Sequence, residues 1–151
     1  MTRSPFDSPR FQTESGWRVT VQVPQAHAAD ILTAVREKAA LTWGDYDTVS
    51  FESTAGTQRF RSLGTGHNPA SDGIMEVACV ELAFFLPGNE AGDEAEAAGV
   101  LEAIYGVHPY EEPVIFVQPS VRTLHIRGMD EDNPHRFWNR PAGEWVPDFR
   151  G

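Results

Sequence analysis

Apolar and polar side chains alternate from Trp17 to Val23, which predicts a strand with one buried face. Pro24 ends this strand because proline lacks the backbone donor that strand pairing needs. Apolar residues then recur at helical spacing, which predicts a helix over 25–40 with a break at Gly44. The first part of the chain is therefore expected to be a strand followed by a helix.

The middle of the chain is expected to form three strands. Bulky residues predict a strand over 45–53 and a second strand over 57–63, which pairs back on the first as a hairpin. Glycine, proline and asparagine predict a loop over 64–73. A long run of mostly apolar residues then predicts a strand over 74–86.

The last third of the chain repeats the pattern of the first. A helical pattern over 93–105 and a strand over 113–118 complete the order β-α-β-β-β-α-β. Strand, proline, helix and a tyrosine-containing turn thus occur twice. Because crossover connections are right-handed, this doubled β-α-β unit predicts an α+β fold of the ferredoxin-like kind, with an antiparallel sheet and two helices on one face.

These elements place one domain at 17–118, between two segments of different composition. The segment 1–16 is rich in serine, proline and threonine and is expected to be a flexible lead-in. The segment 119–151 is interpreted as a C-terminal extension. It contains Trp138 and Trp145, and tryptophan is poorly placed on a free tail, so we expect the extension to pack on the domain or on a neighbouring subunit.

Composition narrows the range of partners. The 151 residues carry a formal net charge of −10 and no cluster of basic residues, so nucleic acid is not expected as a partner. No apolar stretch is long enough to cross a bilayer, so a membrane is not expected either. Cys79 is the single cysteine, which excludes an internal disulfide and favours a cytoplasmic location.

Three motifs resemble those of the insert domain found in NGG1-interacting-factor-like proteins, the dinuclear-metal-centre family. They are the sequence GDYDTVSF at 44–51, a run with GT, FR and GHNP within 56–73, and HPYEEP at 108–113. The resemblance covers residues 17–118. Val49 stands where the family usually has cysteine, and His67 stands where it often has alanine.

The resemblance implies a fold and an assembly. The family's insert domain is similar to PII signalling proteins and to CutA-like proteins, which implies a homotrimer with small ligands at the clefts between subunits. The family's metal ligands lie in two flanking lobes that have no counterpart in this sequence. The chain is therefore expected to act as a standalone module.

The glycine-rich segment 64–69 has two interpretations. It can cradle an anion through its backbone N–H groups, or it can serve as a plain connector with turn residues. The first rests on analogy with PII-like proteins, whose loops near subunit clefts hold small ligands, and the second is at least as well supported by the residues. The candidate ligand-binding residues on the first interpretation are Asp45, Tyr46, Arg61, Gly66, His67, Asn68 and Tyr110. No catalytic residue is predicted.

The HPYEEP motif is the strongest candidate for chemistry. Imidazole and carboxylate groups bind divalent metals, so the candidate metal ligands are His108, Glu111 and Glu112, with His67 as an addition. The alternative, which we favour, is that the two prolines and the polar side chains build a turn. The tyrosine and the acids would then bond to backbone groups or to Arg61.

The sequence predicts a non-enzymatic small-ligand-binding or regulatory module that acts as a homo-oligomer. The alternative is a divalent-metal-binding protein that uses the 108–113 motif. A metal-dependent hydrolase, by association with the family, is the weakest alternative because the metal-bearing lobes are missing here. No cofactor is predicted apart from that divalent metal, and the chain is not expected to be an enzyme.

Overall fold

Five strands and two α-helices form the part of the chain that the structure describes. The structure is a computed structural model, and it describes residue 6, residues 8–88 and residues 94–141. The order of the elements is β-α-β-β-β-α-β, as predicted. In chain order they are β1 (Phe11–Val23), α1 (Ala28–Arg36), β2 (Phe51–Glu52), β3 (Gly56–Phe60), β4 (Met75–Pro87), α2 (Glu94–Val107) and β5 (Val114–His125). Two short 3-10 helices cover Gln25–His27 and Phe137–Asn139.

β1 lies between two partners in an antiparallel sheet. It pairs with β4 on one side and with β5 on the other, so that Val19 is opposite both Phe84 and Val117. β2 and β3 both pair with the outer edge of β4, one after the other along its length. The sheet order is therefore β5, β1, β4 and then the two short strands.

The two helices pack on one face of the sheet, as predicted. The alternation in β1 determines this face, because its valines are fully buried while Thr20 and Gln22 point to the opposite face. The fully buried core residues come from both helices and the central strands: Val19, Val21, Val23, Ile31, Val35, Leu82, Val100 and Ile104. Neither of the helices in the described residues is long and apolar enough to cross a membrane.

β1 begins earlier than the sequence indicates. The sequence predicts a flexible lead-in over 1–16, but β1 begins at Phe11, so this prediction is wrong for 11–16. The missed half of the strand is polar, and no buried face appears in its pattern. It is extended because it pairs with the second half of β5, where Glu14 lies opposite Arg122.

β5 likewise runs past the domain boundary predicted at residue 118. It continues without a break to His125 and includes Pro119, so this boundary is wrong. A strand at the edge of a sheet tolerates proline because its outward backbone groups have no partner strand. The predicted strand ended before this proline, at residue 118.

The strands predicted over 45–53 and 57–63 also differ from those observed. Residues 45–50 form no strand, and β3 pairs with β4 rather than back on β2. The backbone explains the first difference, since Leu41, Gly44 and Thr48 have positive φ angles of 53°, 61° and 54°. A residue with positive φ redirects the chain, so an extended strand cannot run through this segment.

After β5 the chain folds back toward the start of β1. The side chain of Asp130 is only 6% exposed, and its carboxylate accepts from Arg10 at 3.1 Å and from Arg136 at 2.5 Å. Trp138 lies in this folded segment and donates its indole N–H to a backbone carbonyl of the same segment at 3.4 Å. The described part of the extension therefore contacts the domain itself, while Trp145 lies outside the described residues.

Candidate functional site

The predicted ligand-binding residues do not form one site within the chain. Asp45 and Tyr46 lie near the N-terminal end of β1, in a loop that Trp43 ties to β5 through a 3.0 Å hydrogen bond. Residues 66–68 lie near the C-terminal end of β1, beside the residues that lead into β5. The two groups are separated by most of the length of β1, roughly 30 Å at the usual rise of a strand.

A buried arginine fixes the loop that follows α1. Arg122 has a side chain that is only 5% exposed, and it donates to Glu14 Oε1 through Nη2 at 2.6 Å and through Nε at 2.8 Å. Its Nη1 donates to the carbonyl oxygen of Thr42 at 2.6 Å. The guanidinium also lies over two rings, 4.3 Å from the centroid of Phe85 and 5.1 Å from that of Trp43.

Asp45 and Tyr46 are exposed at the tip of this loop. Tyr46 is 73% exposed, and Asp45 forms a 3.4 Å ion pair with Arg127, which is also exposed. Pairs of this kind contribute little in water because both charges stay hydrated. The two residues line a shallow depression of about 400 Å³ together with Thr42, Gly44 and Asp47.

The glycine-rich loop is held by Glu111. One carboxylate oxygen of Glu111 accepts from the backbone N–H of His67 at 3.1 Å, and the other contacts His67 Nδ1. A Cβ at Gly66 would collide with Glu111 Oε1, so glycine permits this close approach. Of the two partners expected for the acids, Glu111 uses the backbone and not Arg61, which is exposed.

His108 has both ring nitrogens bonded to the backbone. Nε2 donates to the carbonyl oxygen of Gln22 at 2.9 Å, and Nδ1 accepts from the N–H of Tyr110 at 3.1 Å. The partners fix these roles, because a carbonyl can only accept and an amide N–H can only donate. The buried imidazole therefore joins the end of α2 to β1, and neither nitrogen is left for a metal unless a hydrogen bond breaks.

Tyr110 turns its hydroxyl toward Cys79. The phenol oxygen lies 3.5 Å from the sulfur. Burial, together with the hydrogen bond to Cys79, raises the pKa of Tyr110 to about 12. The phenol therefore keeps its proton at neutral pH and acts here as a hydrogen-bonding group rather than as a base.

His108 and Tyr110 both contact residues of one cleft, which lies beside β3 on the face opposite the helices. We call it the β3 cleft. It has a volume of about 380 Å³ and is lined by Gln22, Ser53, Thr54, Gly56, Thr57, Gln58, Cys79 and Glu81. Gln22, whose carbonyl His108 binds, and Cys79, whose thiol Tyr110 contacts, both line this cleft.

Three side chains in the β3 cleft form an oriented chain of hydrogen bonds. Gln58 Nε2 donates to Gln22 Oε1 at 2.9 Å, and Gln22 Nε2 donates to Glu81 Oε2 at 3.2 Å. The backbone N–H of Glu81 donates to the hydroxyl of Ser53 at 2.8 Å. The carboxylate can only accept, so the direction of the whole chain is fixed.

The sequence analysis did not find this cleft. Its residues come from three strands and a turn, and only the strand register brings them together. One signal was present in the sequence, because Glu81 interrupts the otherwise apolar run from Val77 to Leu86. A strand with one buried face accepts a carboxylate only on the side that reaches water.

The predicted metal ligands are not gathered around one point. Within residues 8–88 and 94–141, no three histidine, cysteine, aspartate or glutamate side chains are grouped so that they could hold a metal ion. Both nitrogens of His108 bind the backbone, Glu111 meets His67, and Glu112 is exposed. Metal binding by the 108–113 motif stays a prediction.

No protein-family model matches the chain. Among curated proteins, the chain is 32% identical over 93 residues to the GTP cyclohydrolase 1 type 2 homolog of Mycobacterium leprae (strain TN). The match covers 62% of this chain and 23% of that protein. This match contradicts the expectation that the chain is not an enzyme, because the relative is named as a homolog of an enzyme.

Solved structures confirm the fold. A Bacillus cereus protein related to NIF3 aligns with a TM-score of 0.56 at 26% identity, covering 74% of this chain and 27% of that one. The divalent ion tolerance protein CutA1 from Ehrlichia chaffeensis aligns with a TM-score of 0.50 at 12% identity, covering 75% of this chain and 84% of that one. The second match shows the fold alone, and that fold is the ferredoxin-like α+β fold that the sequence predicts.

The chain spans about a quarter of the length of the two longer relatives, at 23% and 27%. It is therefore similar in sequence and in fold to one part of a NIF3-related protein.

Proposed function

We propose that this chain is a small-ligand-binding module whose ligand occupies the β3 cleft. One observation carries the proposal: the most specific motif in the sequence supports the walls of this cleft. His108 binds the carbonyl of Gln22, and Tyr110 contacts the thiol of Cys79, and both partners line the cleft. A motif whose side chains fix the residues around one cleft serves to preorganise that cleft.

The shape and the polarity of the cleft support this function. Its lining contains hydroxyls, two amides, a thiol and a carboxylate, which converge on about 380 Å³ of space. Gly56 contributes to the space, because an added Cβ would meet its nearest neighbour only at 4.0 Å. Small-molecule sites combine a concave shape with a few placed polar groups in this way.

We further propose that the module acts as a homo-oligomer. The face of the sheet opposite the helices carries exposed aromatic side chains, among them Phe51, which is 68% exposed, and Phe116, which is 51% exposed. Exposed apolar groups on a strand surface favour association. A trimer, as the family resemblance implies, would then place ligand sites near subunit boundaries, and light scattering of the purified chain tests it.

The name of a relative suggests which ligand to test first. The name of the Mycobacterium leprae relative makes GTP the first nucleotide to try. We infer that the module contributes ligand contacts to a larger NIF3-related protein or assembly, because it matches only about a quarter of such proteins.

Filling the cleft tests the proposed function. Wild-type protein is screened by thermal shift against GTP, other nucleotides, amino acids and amines, since a ligand that binds only the native state raises the Tm. The variant Gly56→Trp fills the cleft, and Gly73→Trp is its matched control because it also has open space around it and lies outside the lining. We expect every ligand-induced Tm shift to vanish in Gly56→Trp and to persist in Gly73→Trp. Equal shifts in both variants would place the ligand elsewhere and reject the proposal.

A second candidate function is divalent-metal binding, and the contact between His67 and Glu111 favours it. The imidazole of His67 is 91% exposed and meets a carboxylate that is also open to solvent. An imidazole and a carboxylate are ligands that zinc accepts. Calorimetry with Zn²⁺ is expected to show binding that His67→Ala abolishes and His135→Ala leaves unchanged. The candidate fails if the wild-type protein binds no zinc, or if both variants behave alike.

A further inference from the structure

We propose that the β3 cleft selects small organic cations with several N–H donors, such as guanidinium, amidinium or primary ammonium compounds. This inference rests on the proposed function and names its ligand class. The first reason is the charge of the lining. Of the eight lining residues, Glu81 alone carries a formal charge, and the others are amides, hydroxyls, a thiol and a glycine. The lining thus offers an anion no positive partner.

The second reason is the direction of the hydrogen bonds. The chain from Gln58 through Gln22 ends on Oε2 of Glu81, a residue that lines the cleft, and Oε1 is the other oxygen of that carboxylate. Among the described residues, neither this oxygen nor Oε1 of Gln58 accepts a hydrogen bond. The two ends of the chain are therefore both acceptors, and a ligand that binds at either end has to donate. Planar guanidinium groups, which carry five N–H donors, meet this requirement.

The third reason is the rigidity of the carboxylate. Its own backbone N–H is bonded to Ser53, and its Oε2 is bonded to Gln22, so Glu81 is held before a ligand arrives. A fixed acceptor loses less side-chain entropy on binding than a free one does. The backbone of Gln22 is fixed in turn by His108. The motif at 108–113 thus acts on the ligand through Gln22 and is a positioning element in this site.

The charge of the whole chain acts in the same direction. With a formal net charge of −10, the protein attracts cations and repels anions over a Debye length. Because Glu81 is exposed, its attraction for a cation is screened by salt. Binding is therefore expected to weaken as salt is added.

A pair of probes that differ mainly in charge tests the inference. n-Butylguanidinium and n-butylurea have nearly the same shape, but only the first is a cation, and the second carries a carbonyl acceptor in place of one amino donor. Each is titrated into the ¹⁵N-labelled full chain at low ionic strength, and the backbone amide signals of Gln22, Ser53, Gln58 and Glu81 are followed. We expect the guanidinium compound to shift these signals and to bind at least about tenfold more tightly than the urea, as for a hydrogen bond to a charged group.

Two carboxylate variants complete the test. Glu81→Gln removes the charge in the cleft and retains an oxygen that can accept from Gln22, so guanidinium binding should fall about tenfold to the level of the urea. Glu76→Gln is the matched control, because Glu76 lies on the same strand, pairs with Arg59 at 3.4 Å and is not part of the lining. Its affinity should be unchanged. The salt dependence of wild-type binding gives an independent reading that needs no variant.

The outcomes separate the inference from the proposed function. Equal binding of the two probes, or full guanidinium affinity in Glu81→Gln, overturns the cation selectivity while the cleft remains a ligand site. The cation selectivity is also overturned if guanidinium does not bind and a nucleotide raises the Tm of the wild type but not that of Gly56→Trp. If ligands bind equally well to Gly56→Trp and Gly73→Trp, the β3 cleft is not the ligand site and the proposed function is rejected.

Discussion

At the N-terminal end of β1 a buried guanidinium holds the loop after α1, whereas at the C-terminal end an imidazole bonded to the backbone supports the β3 cleft. The first end uses Arg122 with Glu14, and the second uses His108 with Gln22. A buried charge has to keep its partner, because an unpaired ion in the interior is far more costly than an unpaired neutral group. The contacts of Arg122 at the first end therefore serve the stability of the fold. The second end has the carboxylate of Glu81 in the lining of a cleft.

The largest effect is expected from Arg122→Ala at the first end. The substitution removes three hydrogen bonds and the contacts with two rings, and leaves the carbonyl of Thr42 without its donor. Because Glu14 stays 40% exposed, the cost comes from the lost packing of Arg122 and the unpaired carbonyl, and we expect the free energy of unfolding to fall by about 3 kcal/mol. Urea denaturation measures it.

Arg127→Ala is the control for this prediction. Arg127 pairs with Asp45 at the same end of the molecule, but both side chains are exposed, so the change should stay below about 0.5 kcal/mol. Similar losses for the two arginines would mean that burial of the Arg122 side chain does not distinguish this end of β1.

A smaller effect is expected from His108→Ala at the second end. The substitution leaves the carbonyl of Gln22 and the N–H of Tyr110 without partners, which should cost about 2 kcal/mol. The amide signals of the β3 cleft should move, while those of the loop after α1 should stay in place. The exposed His135→Ala serves as the control in the same denaturation and NMR measurements. A His108→Ala spectrum altered equally at both ends would break the comparison.

The sequence predicted the centre of the fold better than its two ends. Alternation in 17–23 and the helical spacing after it depend on burial against the core, so the pattern carries the signal. The polar half of β1 has no such pattern, because a bond from Glu14 to Arg122, 108 positions apart, replaces a buried face. No local rule reports a pairing at that distance.

The candidate site shows the same division. The motif at 108–113 is visible as a string of residues, and its turn-building role could be weighed from its prolines. Its partner could not be predicted, since the carbonyl of Gln22 becomes available only where β1 passes the end of α2. Glu81 was noticed only as an interruption, because the two glutamines that orient its carboxylate come from other strands.

A still smaller effect is expected from Gly66→Ala, which tests how the glycine-rich loop is attached to the second end. The added methyl would meet the carboxylate of Glu111 and displace it from the backbone of His67. We expect a loss of about 1 kcal/mol. Gly73→Ala in the same loop has open space around it and should change stability by less than about 0.5 kcal/mol. Equal effects in thermal unfolding would show that the loop does not depend on Glu111.

The smallest expected effect depends on pH and belongs to the first end alone. A hydrogen bond from Asn133, and then the charges of Arg10 and Arg136, hold the pKa of the Asp130 carboxyl below its ordinary value of 3.8. The folded state therefore favours the ionised form. Its contribution is complete above the ordinary pKa and is lost as the pH falls through the lower, folded-state pKa.

Asp130→Asn isolates this contribution. Asparagine tolerates the positive φ of 63° at this position, so the backbone is retained while the charge is removed. The urea midpoint of the wild type should then fall more steeply than that of the variant as the pH drops below about 4. Asp132→Asn, at an exposed neighbour, should follow the wild type. The amide signals of residues 10 and 126–136 should report the change first, whereas those of the β3 cleft should not follow the Asp130 titration. If the cleft signals move together with Asp130, the two ends of β1 are coupled, and the division between an anchoring end and a binding end fails.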